Sequence, residues 1–388
     1  MFSDLKNYYI LVSINIMFKL NKTEYCNIPQ SIEDKLPRKL HNQKNHPIEI
    51  IKNHIYNYFA KLENYKFFMF DDLSPIVSVE DNFDKLLIPE KHPARSKSDT
   101  YYVNEKEVLR THTSAHQNEL LTKDYKSFLV TGDVYRKDEV DARHYPVFHQ
   151  MEMLTLIDDN LDAELELKKM LSGLVDYLFP GCEYRFNPDY FPFTHPSFEI
   201  EVKYNGNWLE ILGCGVVQPK ILENNGFHGK KAIAAGFGLD RLVMIFGNIP
   251  DIRYLWSTHE RFLGQFADGK LVKFQPYSEL PSQNRDISFF VSQDKLEIEE
   301  MTNKQLKWLD ENDFFELVRE YAGDMMEEVK LTDSFYNKKL NKYSRTYRLV
   351  YSPNGPDVKD GGEFFNLVNK IQDNLREKVQ SRMKIELR

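Results

Sequence analysis

Cysteine is scarce in this chain of 388 residues: there are three, Cys26, Cys182 and Cys214, far apart and without a CxxC pair. That spacing argues against a disulfide framework and against a structural zinc site. Glycine and proline number 17 each, too few for a collagen-like or linker-dominated architecture. The longest apolar run, Tyr8 to Phe18, is broken by Ser13 and Asn15 and is too short to span a bilayer. Walker spacing, a dinucleotide GxGxxG and a Ser-His-Asp or His-Cys arrangement are all missing. What is present is ordinary for a soluble globular protein, 41% hydrophobic and 28% charged. The length is enough for two or three domains, each with a core of its own.

Basic charge is in deficit overall, with 51 Lys plus Arg against 59 Asp plus Glu and a net of -8. The average hides an asymmetry. Residues 330–388 hold 13 basic against 7 acidic side chains, a net of +6, while the remainder, 38 against 52, carries -14. A basic end on an acidic body is compatible with electrostatic capture of RNA, and equally with a solvated surface.

The first twenty residues include Lys6 and Lys19 but also Asp4 and no arginine, a pattern short of an Arg-rich, acid-poor transit segment. Residues 21–46, polar with Pro29 and Pro37, read as leader or linker. From Pro47 the pattern changes: Ile48, Ile51, Ile55, Tyr58, Phe59 and Leu62 share one helical face. A second helix is expected over Leu161–Phe179, through Leu165, Leu171, Leu174 and Leu178, ended by Pro180-Gly181. Ser127–Tyr135, Val147–Ile157, Ser197–Tyr204 and Asn207–Val217 read as strands of a largely antiparallel sheet, with Asn205-Gly206 as a hairpin turn. Gly238–Phe246 reads as a helix, stopped by Gly247 and Pro250. Asp251 to Pro281 has no sustained period and reads as a surface linker. The remainder predicts strand Asp286–Val291, helix Thr302–Leu309, strands Phe314–Tyr321, Glu327–Tyr336 and Ser344–Tyr351, helix Glu363–Lys378 and strand Met383–Leu387. That α+β order is ferredoxin-like.

Three clusters carry chemistry. Thr111-His112-Thr113-Ser114-Ala115-His116-Gln117 offers many donors and acceptors ahead of an apolar helix start, fit for the charged ends of a zwitterion or for a helix cap. Gly132-Asp133-Val134-Tyr135-Arg136 is answered by Tyr145-Pro146-Val147-Phe148-His149-Gln150-Met151-Glu152, a hairpin with a polar loop. Alternation places Phe148, Gln150 and Glu152 on one face, a ring beside an amide and a carboxylate, and Arg136 adds a rigid fork for phosphate or carboxylate. Ala234-Ala235-Gly236-Phe237-Gly238-Leu239-Asp240-Arg241 lets backbone approach a ligand and sets Arg241 in the first turn of a helix.

In order, "IPEKHPARSKSDTYYV", "RTHTSAHQ", "GDVYRKDEVDARHYPVFHQME", "WLEILGCG", "GFGLDRLVM" and "IPDIRYLWSTHERF" resemble the class II aminoacyl-tRNA synthetases, in particular the single-chain organellar phenylalanyl type. The segment opening with "SELPSQNRDISFF" resembles that family's ferredoxin-fold anticodon-binding domain. The resemblance spans roughly residues 48–388. It implies an α+β fold, a class II antiparallel sheet flanked by helices over 47–250, a linker over 251–281 and the anticodon-binding domain over 282–388. A leader over 1–46 would direct the chain to the mitochondrial matrix.

The implied activity is ATP-dependent attachment of phenylalanine to tRNA(Phe) through an adenylate, with Mg²⁺, by a monomer without membrane association. On the family pattern Arg136 binds the α-phosphate of ATP, Phe148 stacks adenine, and Arg143, His144 and Tyr145 reach nucleotide from the loop. His112, Ser114, Ala115, His116, Gln117, Gln150, Met151 and Glu152 surround the amino acid's polar end. Glu210 stands on the nucleotide or magnesium side, Gly213 and Gly215 form the pocket floor, Ala235 and Phe237 line the pocket, and Arg241 meets the distal phosphates. Relatives usually carry aromatics at the positions of Ala235 and Ile233. Their absence here predicts either that Phe237 turns inward or that the pocket admits larger rings such as tyrosine. For tRNA the expected contacts are Arg345, Arg348, Arg376, Lys378, Arg382 and Lys384. Two other readings, an RNA-binding protein without adenylation and a ligase for another acyl group, are disfavoured by the intact Arg136, Glu152 and Arg241.

Overall fold

The computed structural model describes residues 10–11, 20–276, 280–298, 306–353 and 360–388. The expected transit segment lies almost wholly outside the described residues. The strands of the larger sheet are β1 (Ile10–Leu11), β2 (Phe68–Phe70), β3 (Ser127–Tyr135), β4 (Val147–Ile157), β5 (Tyr184–Asp189), β6 (Thr194–Tyr204), β7 (Asn207–Val217) and β8 (Lys231–Gly238). They lie in the order β1-β2-β3-β4-β8-β7-β6-β5, antiparallel except for the parallel pairs β1–β2 and β2–β3. Strand bounds for β3, β4 and β7 match the alternation in the sequence. The β6–β7 turn takes positive φ at Asn205 (49°) and Gly206 (84°), as Asn-Gly hairpins do.

Three helices cover one face of this sheet. α1 (Pro47–Phe59) starts at His46, whose Nδ1 accepts from the Ile48 amide at 3.2 Å, and buries Ile48, Ile51, Ile55 and Phe59. α2 (Ala163–Leu178) is capped by Asp162 and buries Leu167, Met170, Leu171, Leu174 and Leu178; Leu165, expected in the stripe, is exposed. α3 (Leu239–Gly247) follows β8 directly and buries Leu239, Leu242 and Val243. Two segments expected to be peripheral join this core. Ile28, Ile32, Leu36 and Leu40 are buried in it, so residues 28–40 are part of the body rather than a leader. Ile252, Leu255, Trp256, Phe262, Phe266 and Phe274 are buried there as well, so the segment after Asp251 is core and not a surface connection. Its apolar residues are mostly aromatic and irregularly spaced, which hides burial from a search for periods.

The C-terminal unit has its own core. Its strands β9 (Gln283–Val291), β10 (Met326–Asn337), β11 (Lys342–Tyr351) and β12 (Glu386–Leu387) lie in the antiparallel order β10-β11-β9-β12. With α4 (Glu311–Ala322) and α5 (Gly361–Met383) this is the βαββαβ ferredoxin-like arrangement. The helix is not where the sequence put it. Phe314–Tyr321, read as a strand, belongs to α4, which buries Phe314, Phe315, Leu317 and Val318. The helix expected over Thr302–Leu309 falls partly outside the described residues, and Leu306–Trp308 is a short strand paired with Leu296–Ile298.

The unit sits against the loop between β3 and β4. Val140 is buried in the C-terminal core, and its carbonyl accepts from the Val329 amide at 2.8 Å. Arg319 donates to the Asp138 and Glu139 carbonyls, Lys137 pairs with Asp313 at 3.0 Å, and the Tyr145 hydroxyl donates to Asp324 at 2.6 Å.

Candidate active site

The face of the larger sheet opposite the three helices carries the predicted constellation, and strand register assembles it. One cross-strand row reads Val130, Glu152, Gly236, Gly213, Glu199, each directly opposite the next. Opposed residues point to the same face. Two carboxylates therefore flank two positions without side chains, leaving a slot floored by backbone. A Cβ added to Gly236 would meet no atom within 4 Å, whereas one on Gly213 would stand 2.9 Å from the Phe191 ring. On Gly215 it would come within 2.7 Å of the Pro196 carbonyl and closer to Thr194.

Glu152 is buried and accepts hydrogen bonds from the Ser114 hydroxyl and the Gln117 amide. Burial outweighs those donors and pushes its carboxyl up to about 7. Among the described residues no cation pairs with it, the condition an arriving ammonium would relieve. Beside it, both ring nitrogens of His112 are buried without a hydrogen-bond partner. Burial, with Arg136 nearby, lowers that imidazole to about 3, so it is neutral. Gln150 faces the same side, paired with Gly132 and Gly238.

Arg136 lies over the Phe148 ring at 5.4 Å and donates from Nε to the Thr111 carbonyl at 2.7 Å. Burial lowers it from the ordinary guanidinium value, so an anion would be welcome there. At the other end of the slot Arg241 pairs with Glu210 at 3.1 Å, both half exposed. Glu199, which sequence reasoning missed, is raised by burial and by repulsion from Glu210 and Asp189. Asp240 was missed too. Buried next to Arg241, it accepts from the His149 amide at 2.5 Å and so ties the start of α3 to the strand bearing Phe148 and Gln150.

Several expected residues lie elsewhere. Met151, Ala235 and Phe237 belong to the helix-side core by strand parity. Phe237 is 1% exposed and packs edge-on against Phe59 at 6.2 Å, so it cannot turn into the slot, and Ile233 is on the same wrong face. The rings near the slot come instead from the β5–β6 connection: Phe191 lies over Gly213 and stacks on Phe193 at 5.9 Å, and Phe193 lies 6.4 Å from His112. The phenylalanines flanking Pro192 were the available signal. Ala115 packs with Val77, Tyr102 and Val108. His116 bridges Arg110, at 2.9 Å, and Glu119, at 3.2 Å. In the loop, Tyr145 is turned toward Trp256 and Asp324, His144 bonds Asp141 at 2.8 Å, and Arg143 is exposed.

Residues 31–266 match the family described as "tRNA synthetases class II core domain (F)". The chain is 47% identical over 373 residues to the chloroplastic/mitochondrial phenylalanine–tRNA ligase of Arabidopsis thaliana, covering 93% of this chain and 82% of that one. It is 39% identical to the mitochondrial phenylalanine–tRNA ligase of Dictyostelium discoideum, covering 98% and 94%. With that of Saccharomyces cerevisiae it shares 34%, covering 97% and 95%. Together with the sheet and its slot, these similarities establish that the chain belongs to the phenylalanine–tRNA ligase family of class II tRNA synthetases.

Proposed function

We infer that the chain activates phenylalanine with ATP and transfers it to tRNA(Phe) for organellar protein synthesis. Membership of the family carries the reaction class. The observation that carries the site is the row Glu152, Gly236, Gly213, Glu199, an open slot with a buried carboxylate held only by neutral donors at one end and aromatic rings beside it. Glu152 would receive the amino acid's ammonium group and the Phe191–Phe193 pair its ring. Arg136 would hold the α-phosphate, Phe148 the adenine and Arg241 the distal phosphates.

Adenylation is an in-line attack of the substrate carboxylate on the α-phosphorus with loss of pyrophosphate. No proton has to be abstracted, so the work is positioning and charge neutralisation. Two arginines and a neutral imidazole suit that task. Magnesium accompanying the nucleotide would neutralise phosphate charge. The pair Glu210 and Glu199 fits it, since Glu199 already has a raised proton affinity. The C-terminal unit would hold the tRNA, and residues 47–250 with the core segments on either side would carry the chemistry.

The chloroplastic/mitochondrial and mitochondrial relatives support a mitochondrial or plastid address, and we assign the mitochondrial matrix. We take the chain to act as a monomer. Among the described residues no helix is long and apolar enough to cross a membrane.

Pyrophosphate exchange with a panel of amino acids tests the reading. Exchange with phenylalanine is expected and exchange with tyrosine is expected to be weak. Exchange with none of them would remove the activity, and exchange with tyrosine alone would remove the specificity.

A further inference from the structure

We propose that His41 and His149 hold a buried water molecule between them, and that through it His41 acts as a positioning residue for the nucleotide side of the slot. The effect on the nucleotide rests on the reading of Phe148 and Arg241 as its contacts. The water site itself stands apart from that reading.

His41 lies in the single turn Leu40–Asn42, in a stretch expected from sequence to be leader or linker. His149 lies on β4, on the face away from the slot, directly across from Asp133 in the register. The two side chains are 2% and 0% exposed. Their partners fix which nitrogen donates. His41 Nε2 is 2.9 Å from the Asp71 carbonyl, which can only accept, so Nε2 carries the proton and Nδ1 a bare lone pair. His149 Nδ1 is 3.2 Å from both carboxylate oxygens of Asp240 and donates there, which leaves Nε2 on the other edge of the ring.

Among the described residues neither His41 Nδ1 nor His149 Nε2 has a hydrogen-bond partner. The same holds for Nε1 of Trp256, whose ring stacks on His149 at 5.5 Å. In neutral rings these are two acceptors and one donor, the complement of a water's two protons and its lone pairs. Native interiors rarely leave such atoms unpaired, because each costs free energy. The imidazole centres are 5.6 Å apart with their planes at 54°. A water about 2.9 Å from each nitrogen would stand about 4 Å from each ring centre, with an angle of about 90° at its oxygen, close to that of a water donating twice. A metal ion is the other occupant that two imidazoles suggest. Among the described residues no third imidazole, thiolate or carboxylate stands close enough to complete such a site. Asp133 is already engaged by Arg110 at 3.0 Å and by the Tyr135 hydroxyl.

The water closes a chain from the Asp71 carbonyl through His41 and His149 to Asp240. Asp240 directly precedes Arg241 at the start of α3, and His149 stands between Phe148 and Gln150, which face the slot. The bridge therefore braces the strand and the helix bearing the nucleotide contacts against the N-terminal segment.

A crystal structure of the full chain should show one ordered water within about 3.2 Å of both imidazole nitrogens. Pyrophosphate exchange reads what it does. His41→Phe keeps a ring without nitrogens, and the Asp71 carbonyl retains the Asn42 amide at 2.8 Å. This variant should raise the KM for ATP about fivefold and leave that for phenylalanine unchanged. His41→Asn, whose side-chain oxygen can take the place of Nδ1, should restore the parental value. His149→Asn keeps a donor for Asp240 but loses Nε2; it should match His41→Phe, and the double variant should be no worse than either. A crystal structure without that water, or with a metal in its place, would overturn the site. An unchanged KM for ATP in both single variants, or additive losses in the double one, would overturn the positioning role. Should His41→Phe lower the melting temperature, His149→Asn and the crystal structure decide. Failure of the unaltered chain to exchange with phenylalanine would remove the activity reading, whereas the water stands or falls on the crystal structure alone.

Discussion

Burial pushes the Glu152 carboxyl up to about 7, and on the proposed reading this makes substrate binding pH-dependent. Its folded-state value of about 7 is above that of an exposed glutamate, so the stability tied to its proton is full below the ordinary carboxylate range and is lost as pH rises through 7. Ammonium binding works the other way, because it favours the ionised form. The KM for phenylalanine should therefore fall as pH rises from 6 to 8, changing by up to about tenfold per unit below 7. Glu152→Gln should abolish that slope, raise KM by more than about tenfold, and raise the melting temperature of the free protein by a few degrees at pH 8. Steady-state exchange at several pH values, with calorimetry beside it, checks all three. At the same scale Asp240 acts as a positioning residue. Asp240→Asn should raise the KM for ATP with little change in that for phenylalanine, because Phe148 and Arg241 meet the nucleotide reading and Glu152 does not. Equal changes in both constants would mean a general loss of folding.

At the scale of the element, strand parity decides what faces the slot. Gly236 and Gly213 are neighbours in one row with opposite tolerance. Gly236→Ala places a methyl in open space, so stability should hold while KM for phenylalanine rises at least about tenfold. Gly213→Ala must displace the Phe191 ring and should lower the melting temperature as well. Thermal melts and exchange kinetics on the two variants separate the cases. Parity also explains what could be read in the sequence. β3, β4 and β7 alternate plainly and their bounds were legible, as was the face shared by Phe148, Gln150 and Glu152. β8 was not, because Ala-Ile-Ala-Ala-Gly-Phe-Gly has weak strand propensity and looked like an approach to the following helix. Without that strand, spacing back from Arg241 chose Ala235, one residue off the exposed face. In α4, the contiguous Phe314-Phe315 imitated a buried strand, although Leu317 and Val318 complete a helical face.

For the whole molecule, the loop between β3 and β4 belongs to two bodies. Its strands frame the slot, while Val140 is part of the C-terminal core and Arg319 grips two of its carbonyls. Arg319→Ala should leave both cores folded yet loosen the loop, raising tryptic cleavage at the exposed Arg143 several-fold; mass spectrometry of the fragments reads this directly. Composition could not reveal this tie, since Val140 is a single apolar residue in a charged stretch. Nor could it show how the C-terminal charge is deployed. Arg345, expected to meet tRNA, is buried and bound to Glu311 and the Tyr347 hydroxyl. The +6 of residues 330–388 is distributed over both sides of a sheet, and much of it is already paired.

The backbone floor of the slot sets a direction for change. A glycine has nothing left to remove, so every substitution at Gly213, Gly215 or Gly236 can only make the slot shallower. Variants accepting bulkier rings would have to arise in the walls, at Phe191 or Phe193, whose side chains can be shortened. Selection acting on this floor has one open direction, toward exclusion.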